Sequence, residues 1–228
     1  MSTPIVDEND QLDKPTPTDK LIATWEIVSV ISSFLIAEWL IRPFGARDNI
    51  LASAPLVIAL IVMILSHYAR GENLVTIGWR IDNLWQALRA LLPLTMGAAI
   101  FIAIVGWSLG GFRSNKWHDW QWLFWLTIWA LIQQYALQGF INRRAQIVWG
   151  KGYRSILLVA FAFALLHLPN VWLAISTFIG GLVWAKTYQR WPNLIALSIS
   201  HALISMVLVA ALPTWVLRSL TVGIRYIV

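Results

Sequence analysis

Residues 155–188 read SILLVAFAFALLHLPNVWLAISTFIGGLVWAKTY, an apolar stretch that is too long for a single membrane crossing. A membrane-spanning helix needs about 17 to 25 predominantly apolar residues. Pro169 interrupts the stretch, because proline removes a helix hydrogen bond and disfavours helix at the residue before it. The stretch therefore predicts two short helices joined by a tight turn at 168–170.

The rest of the chain has the same apolar character. Of its 228 residues, 58% are hydrophobic and 12% are charged, whereas a soluble domain carries about a quarter charged residues. The 15 tryptophans fit a membrane protein, because indole rings favour the membrane–water boundary. We predict an all-α, polytopic transmembrane helix bundle with about seven spans plus interfacial helices. Besides the helix pair above, the predicted spans are 21–41, 50–68, 90–108, 121–141 and 193–212.

Three further segments are predicted to lie outside the spans. Residues 1–20 are acidic and contain prolines, which predicts a disordered tail ahead of a single transmembrane domain, 21–228. Residues 79–89 and 213–228 are predicted as interfacial segments, the latter rather than an eighth span. With seven spans, most lysines and arginines fall on the side of the N-terminus, which favours a cytoplasmic N-terminus.

Charge and cysteine content exclude several classes of function. The chain has no cysteine, so disulfides and thiolate metal sites are excluded. The net charge of +6 is spread among loops, which favours topology signalling over nucleic-acid binding. The predicted fourth, fifth and last helices contain no carboxylate that could bind a metal together with the histidines of the fifth and last helices. Neither a metal nor another cofactor is therefore expected.

Polar side chains inside the predicted spans are the candidates for function, because they are costly in a membrane. They form two stripes, each on one face of a helix and each predicted to face the bundle interior. The stripes are Gln134, Gln138 and Asn142, and Ser198, His201 and Ser205. Such stripes also serve as hydrogen-bonding contacts between helices. Glu26 and Glu38 lie near the ends of the first span and are interpreted as structural.

Three short patterns carry a resemblance to a known family. They read Gln133-Gln134-Tyr-Ala-Leu-Gln138, Phe163-Ala-Leu-Leu-His167 and His201-Ala-Leu-Ile-Ser205. In order and spacing they resemble the EExxxR, FxxxH and HxxxN motifs of the CPBP family, the CAAX-prenyl proteases and bacteriocin-processing intramembrane proteases. The likeness covers about residues 75–210.

The resemblance implies an active site whose base has been replaced. In such proteases the first glutamate activates water with the histidine of the second motif, and the last histidine and asparagine stabilise the oxyanion. His167 and His201 are retained. Gln133 and Gln134 stand at the two glutamates, Gln138 at the arginine and Ser205 at the asparagine, with Phe163 as a supporting residue. An amide is too weak a base to deprotonate water, and general-base catalysis is worth about 10²–10⁴-fold.

Three hypotheses follow for function. The first is a catalytically degenerate protease homologue of a bacterial inner membrane, in contact with lipids, that binds a membrane protein or a lipidated peptide. The second is an active intramembrane endopeptidase that uses the two histidines by a modified mechanism. The third is a small transporter or structural membrane protein whose polar stripes only hold helices together.

Overall fold

The structure, a computed structural model, describes residues 15–41, 50–112 and 120–227. Within these ranges every regular element is a helix and no β-strand occurs. The all-α prediction is therefore confirmed for the described part of the chain. Residues 1–14 of the predicted tail lie outside it. Residues 17–20 form the first turn of the first helix, which starts with a capping box between Thr16 and Asp19.

The helices lie at all the predicted span positions, with shorter helices between them. They are α1 Pro17–Leu35, α2 Ile50–Ala69, α3 Leu74–Ile77, α4 Leu84–Ser108, α5 Trp120–Gln134, α6 Arg143–Trp149, α7 Tyr153–Leu165, α8 Val171–Arg190, α9 Leu194–Ala211 and α10 Thr214–Leu217. Two π-helical segments interrupt the α-helical register. Ile36–Ile41 continues α1, and Tyr135–Asn142 joins α5 to α6.

The predicted break in the long apolar stretch is confirmed. Helix α7 ends at Leu165, and Pro169 follows in the turn. Asn170 begins α8, because its side-chain oxygen accepts a hydrogen bond from the backbone N–H of Leu173. The turn thus ends one helix and caps the next.

Helix α9 lies at the centre of the packing and contacts both α4 and α5, while α7 packs on α8 and α1 packs on α2 and α6. Small residues allow the closest approaches. A Cβ at Gly106 would overlap the backbone carbonyl of Ala211, and one at Gly181 would lie 2.9 Å from the Cα of Ala160. Such small-residue contacts are typical of helix packing in membranes.

By length and composition, three helices of the described residues could cross a membrane: Pro17–Ile41, Leu84–Ser108 and Leu194–Ala211. Large apolar side chains project from the outside of the bundle. Trp107 is 79% exposed and Phe101 is 67% exposed. An apolar outer surface of this kind is suited to contact with lipid acyl chains.

Two predicted interfacial segments differ from the structure. Residues 79–89 do not form a separate helix. Residues 79–83 precede α4, and the rest belong to α4, which begins at Leu84 and continues to Ser108 without a break. In 213–228, Arg218 and Arg225 are seven residues apart, a spacing that predicts one helical face, and this prediction is wrong. Arg218 adopts a left-handed φ of 41°, which ends α10, and short 3-10 turns follow.

Candidate functional site

A cavity of about 280 Å³ lies among α1, α5, α7, α8, α9 and the C-terminal segment. Most of the residues predicted from the three motifs line it: Gln133, Phe163, His167, His201 and Ser205. The structure therefore brings the three motifs to one cavity. Its size and its lining, with few polar groups among many apolar ones, are typical of a small ligand site.

His167 is held by the end of its own helix. Its Nδ1–H donates a hydrogen bond to the backbone carbonyl of Phe163, at 2.7 Å. The ring also meets the Phe163 ring edge-on, with 4.7 Å between centroids. Because Nδ1 carries the proton, the neutral imidazole keeps its lone pair on Nε2, where it can accept a hydrogen bond.

His201 projects from the middle of α9 and is buried among aromatic rings. The side-chain N–H of Gln134 donates to its Nδ1 at 3.3 Å. The Trp184 ring covers one side, with centroids 4.6 Å apart and planes tilted by 34°, and Phe163 meets it edge-on at 5.5 Å. Phe163 therefore contacts both histidines and separates them.

The sequence motifs did not indicate the residues that fix Trp184. Its indole N–H donates to the hydroxyl of Ser200 at 3.1 Å, and that hydroxyl lies 2.7 Å from the hydroxyl of Thr95. Ser200 directly precedes His201, so the hydroxyl pair holds the ring that packs on the imidazole. A serine next to a motif histidine was the available signal in the sequence.

The two buried glutamines occupy different places. Gln134 is fully buried and bonds His201, and its Oε1 has no hydrogen-bond partner among the described residues. Gln138 is also fully buried, but its Oε1 accepts from Asn142 at 2.8 Å, and Asn142 also donates to the carbonyl of Ala185. Neither Gln134 nor Gln138 is among the residues that line the cavity. Gln138 holds Asn142, and Asn142 makes the contact with α8.

Glu38 is a cavity residue that its position near a helix end did not reveal. It lies in the π-helical segment Ile36–Ile41 and lines the cavity. Its Oε2 is 3.7 Å from Nη2 of Arg225, which lines the cavity as well. π-Helical segments occur frequently at functional sites. The structure thus brings Glu38 to the same cavity as the motif residues.

Comparison with known proteins identifies the region that holds this site. Residues 115–207 match the family model described as Rce1-like, "Type II CAAX prenyl endopeptidase Rce1-like". This segment is Rce1-like. No curated protein and no solved structure matches the chain. The resemblance to the CPBP family is confirmed over this segment. The long apolar helices of the described residues indicate an integral membrane protein.

A buried charge cluster is centred on Arg144, which belongs to the Rce1-like segment. The Arg144 side chain is fully buried and bonds Ser66 at 2.8 and 3.0 Å, Glu72 at 2.7 Å and Glu26 at 3.0 Å. Its guanidinium also lies 4.7 Å from the centre of the Phe140 ring. The cluster connects α1, α2 and the loop after α2 to α6.

Glu72 is the second centre of this charge cluster. Its carboxylate accepts from Arg143 and lies 2.6 Å from Nδ1 of His67. Burial alone would raise the pKa of Glu72, but hydrogen bonds from His67 and Arg144 and the charges of Arg144 and Arg143 outweigh it. The pKa of Glu72 is therefore well below its usual range, and the carboxylate is ionised.

Glu26 takes part in the same charge cluster. It accepts from Ser66 at 2.7 Å and from Arg70 at 3.2 Å. It is therefore structural, as the sequence predicted, but through partners inside the protein rather than through lipid headgroups.

Proposed function

We propose that the protein is a catalytically degenerate intramembrane protease homologue that binds a segment of a membrane protein or a lipidated peptide without cutting it. The observation that carries this proposal is the composition of the cavity. His167 and His201 share it with Gln133, at the position where the family has its catalytic glutamate. A neutral amide cannot act as the general base, so the cavity keeps a binding shape without its hydrolytic group.

The contact between Gln134 and His201 supports the same proposal. In the family pattern, a second glutamate stands at the position of Gln134 and an arginine at the position of Gln138. An isolated buried carboxylate would be strongly unfavourable. Three amides at these positions keep hydrogen-bonding groups and remove every charge, which suits a stable, uncharged ligand site.

The apolar helices and the charge distribution support a site within a membrane. We propose a bacterial inner membrane, seven spans and a cytoplasmic N-terminus, since lysine and arginine are enriched in cytoplasmic loops. The Arg144 cluster would then lie near the cytoplasmic face.

The binding proposal is tested by site-specific photocross-linking in membranes. A photoreactive phenylalanine at Trp129, which lines the cavity, should cross-link a membrane peptide or protein. The matched control is Phe124, which is on the same helix, is 60% exposed and is not a lining residue. Ser176→Trp, which fills the cavity, should abolish the Trp129 cross-link. Equal cross-linking at both positions, or no effect of Ser176→Trp, would overturn the proposal.

An active endopeptidase is the second candidate, and the geometry of His167 favours it. With Nδ1 bonded to the Phe163 carbonyl, Nε2 is the basic atom and could accept a proton from water. A membrane peptidome of cells that carry the wild type, His167→Ala with His201→Ala, or Gln133→Glu with Gln134→Glu separates the candidates. New peptide termini that need the wild type and vanish without the histidines would establish a protease. Termini only in the double glutamate variant would support the degenerate site.

A further inference from the structure

The C-terminal segment, residues 213–227, covers one side of the cavity; we call it the C-terminal strap. Leu220, Val222 and Arg225 of the strap line the same cavity as His167 and His201. Between its short helical turns, the strap is extended, with Thr221 at φ −69° and ψ 138° and Val222 at φ −133° and ψ 170°. A two-residue extended stretch, Thr221 and Val222, therefore lies between two short turns beside the histidine site.

The start of the strap is held in place by Val216 and Leu217, which are buried against Leu173 and Leu208. Backbone groups of the strap also form hydrogen bonds. The N–H of Gly223 donates to the carbonyl of Leu168 at 2.9 Å. The side-chain N–H₂ of Asn170 donates to the carbonyls of Leu217 at 2.8 Å and Thr221 at 3.2 Å. Both anchors belong to the turn that carries His167. Main-chain hydrogen bonds of this kind recognise an extended peptide with little regard to its side chains.

Other features of the strap weaken its attachment to the cavity. Arg218 and Leu220 both adopt left-handed conformations, with φ of 41° and 63°. Non-glycine residues hold such conformations only while their surroundings impose them. The ion pair from Arg225 to Glu38 is long, at 3.7 Å, and the Arg225 side chain is 56% exposed. Beyond the buried Val216 and Leu217, the strap is thus attached through the hydrogen bonds of Asn170 and Gly223.

We infer that the strap closes the cavity as a ligand of the protein's own, and that the external ligand is an extended peptide segment that replaces it on the same backbone contacts. This inference rests on the proposed function, because it names the ligand class and the access control of that binding site. The turn residues Leu168 and Asn170 then act as peptide-binding groups beside His167.

The absence of cysteine allows a direct test on the purified full-length protein. Thr177→Cys places one thiol in the cavity wall, and its rate of reaction with a small maleimide reports access. Asn170→Asp keeps the oxygen that caps α8 and loses the N–H₂ that holds the strap. It should raise the labelling rate at least about fivefold, because a carboxylate repels the two strap carbonyls.

The matched control is Asn193→Asp. Asn193 caps α9 in the same way and donates to the carbonyl of Arg80 and the side chain of Asn83, away from the strap. It should leave the labelling rate unchanged. Gly223→Val is a second release variant within the strap, since a Cβ there would lie 3.1 Å from the Cβ of Glu38 at a φ of 63°. If a release variant is folded and its labelling rate is unchanged, the proposal that the strap closes the cavity is refuted.

The ligand class is tested by adding a peptide of residues 217–226 to the released protein. It should slow the labelling of Thr177→Cys back toward the wild-type rate. The same peptide with N-methylglycine in place of Gly223 lacks the donated N–H and should protect much less. Equal protection, or none, overturns the extended-peptide ligand. Because this experiment needs no natural partner, it can fail while the cross-link at Trp129 succeeds, and the two proposals are judged separately.

Discussion

Replacing Arg144 tests the buried charge cluster most directly. Arg144→Met keeps a long side chain over Phe140 and removes the guanidinium from Ser66, Glu26 and Glu72. Both carboxylates then lose a buried partner, at 3.0 and 2.7 Å in the wild type. Arg143 and Arg70 remain as partial partners. The variant should nevertheless be strongly destabilised, because removing one side of a buried ion pair leaves an uncompensated charge.

The expected magnitude follows from the burial of the cluster. Breaking a buried pair costs about 3–5 kcal/mol in the free energy of unfolding. For a chain of this size, about 2–4 °C of Tm corresponds to each kcal/mol. Arg144→Met should therefore lower the unfolding temperature by about 6–20 °C. Arg144→Lys should be less severe, since it keeps one charge and loses the two-pronged geometry.

Thermal unfolding of the protein in detergent, followed by fluorescence and by size exclusion after heating, measures the change. Arg154→Met is the control, because Arg154 is exposed and its side chain bonds the neighbouring Tyr153 of the same helix. It should stay within about 0.5 kcal/mol of the wild type. A loss below about 1 kcal/mol for Arg144→Met would show that the cluster does not hold the helices together.

Two further changes probe the charge balance. The folded state holds the pKa of Glu72 below its ordinary value of 4.5, so its stabilising contribution is complete above that value and is lost as the pH falls below it. Glu72→Gln should therefore flatten the decline of Tm between about pH 5 and pH 3. A decline of Tm parallel to that of the wild type would contradict this. Gln134→Glu should lower the free energy of unfolding by about 3 kcal/mol, because it buries a carboxylate beside His201; Gln138→Arg added to it should restore part of the loss in the same melting assay, whereas further destabilisation would argue against the amide set as a replaced charge set.

Local chemistry made most of the fold predictable. Pro169 and the long apolar stretches fix where helices begin and end without any tertiary contact, and the structure has helices at those places. The burial of His201 and Gln134 also followed from the sequence, since lipid offers no partner for imidazole or amide groups. The segment after Pro213 was not predictable in this way, because the left-handed Arg218 depends on contacts that the strap makes with distant residues.

The site was predictable where the motifs name it and not where it depends on long-range contacts. The motifs indicated His167, His201 and Gln133, which line one cavity. The place of Glu38 at the cavity was not predictable from its position near a helix end, because a π-helical turn changes the face on which it lies. The partners of Arg144 escaped notice because Glu26 and Glu72 come from other helices and loops, and no spacing rule connects positions so far apart in sequence.

The π-helical segment Tyr135–Asn142 lies in one continuous helical stretch between Gln133, which lines the cavity, and Arg144 of the charge cluster. A π turn inserts extra residues into an α-helix, and each residue advances the helix by about 100°. A one-residue deletion there would therefore rotate the following part of the helix by about 100° and shorten it only slightly. Arg144 would turn out of its pocket, while the orientation of Gln133 would stay the same. The rotation of the helix across the π segment, and not only the identity of its residues, therefore decides whether Gln133 faces the cavity while Arg144 reaches the charge cluster.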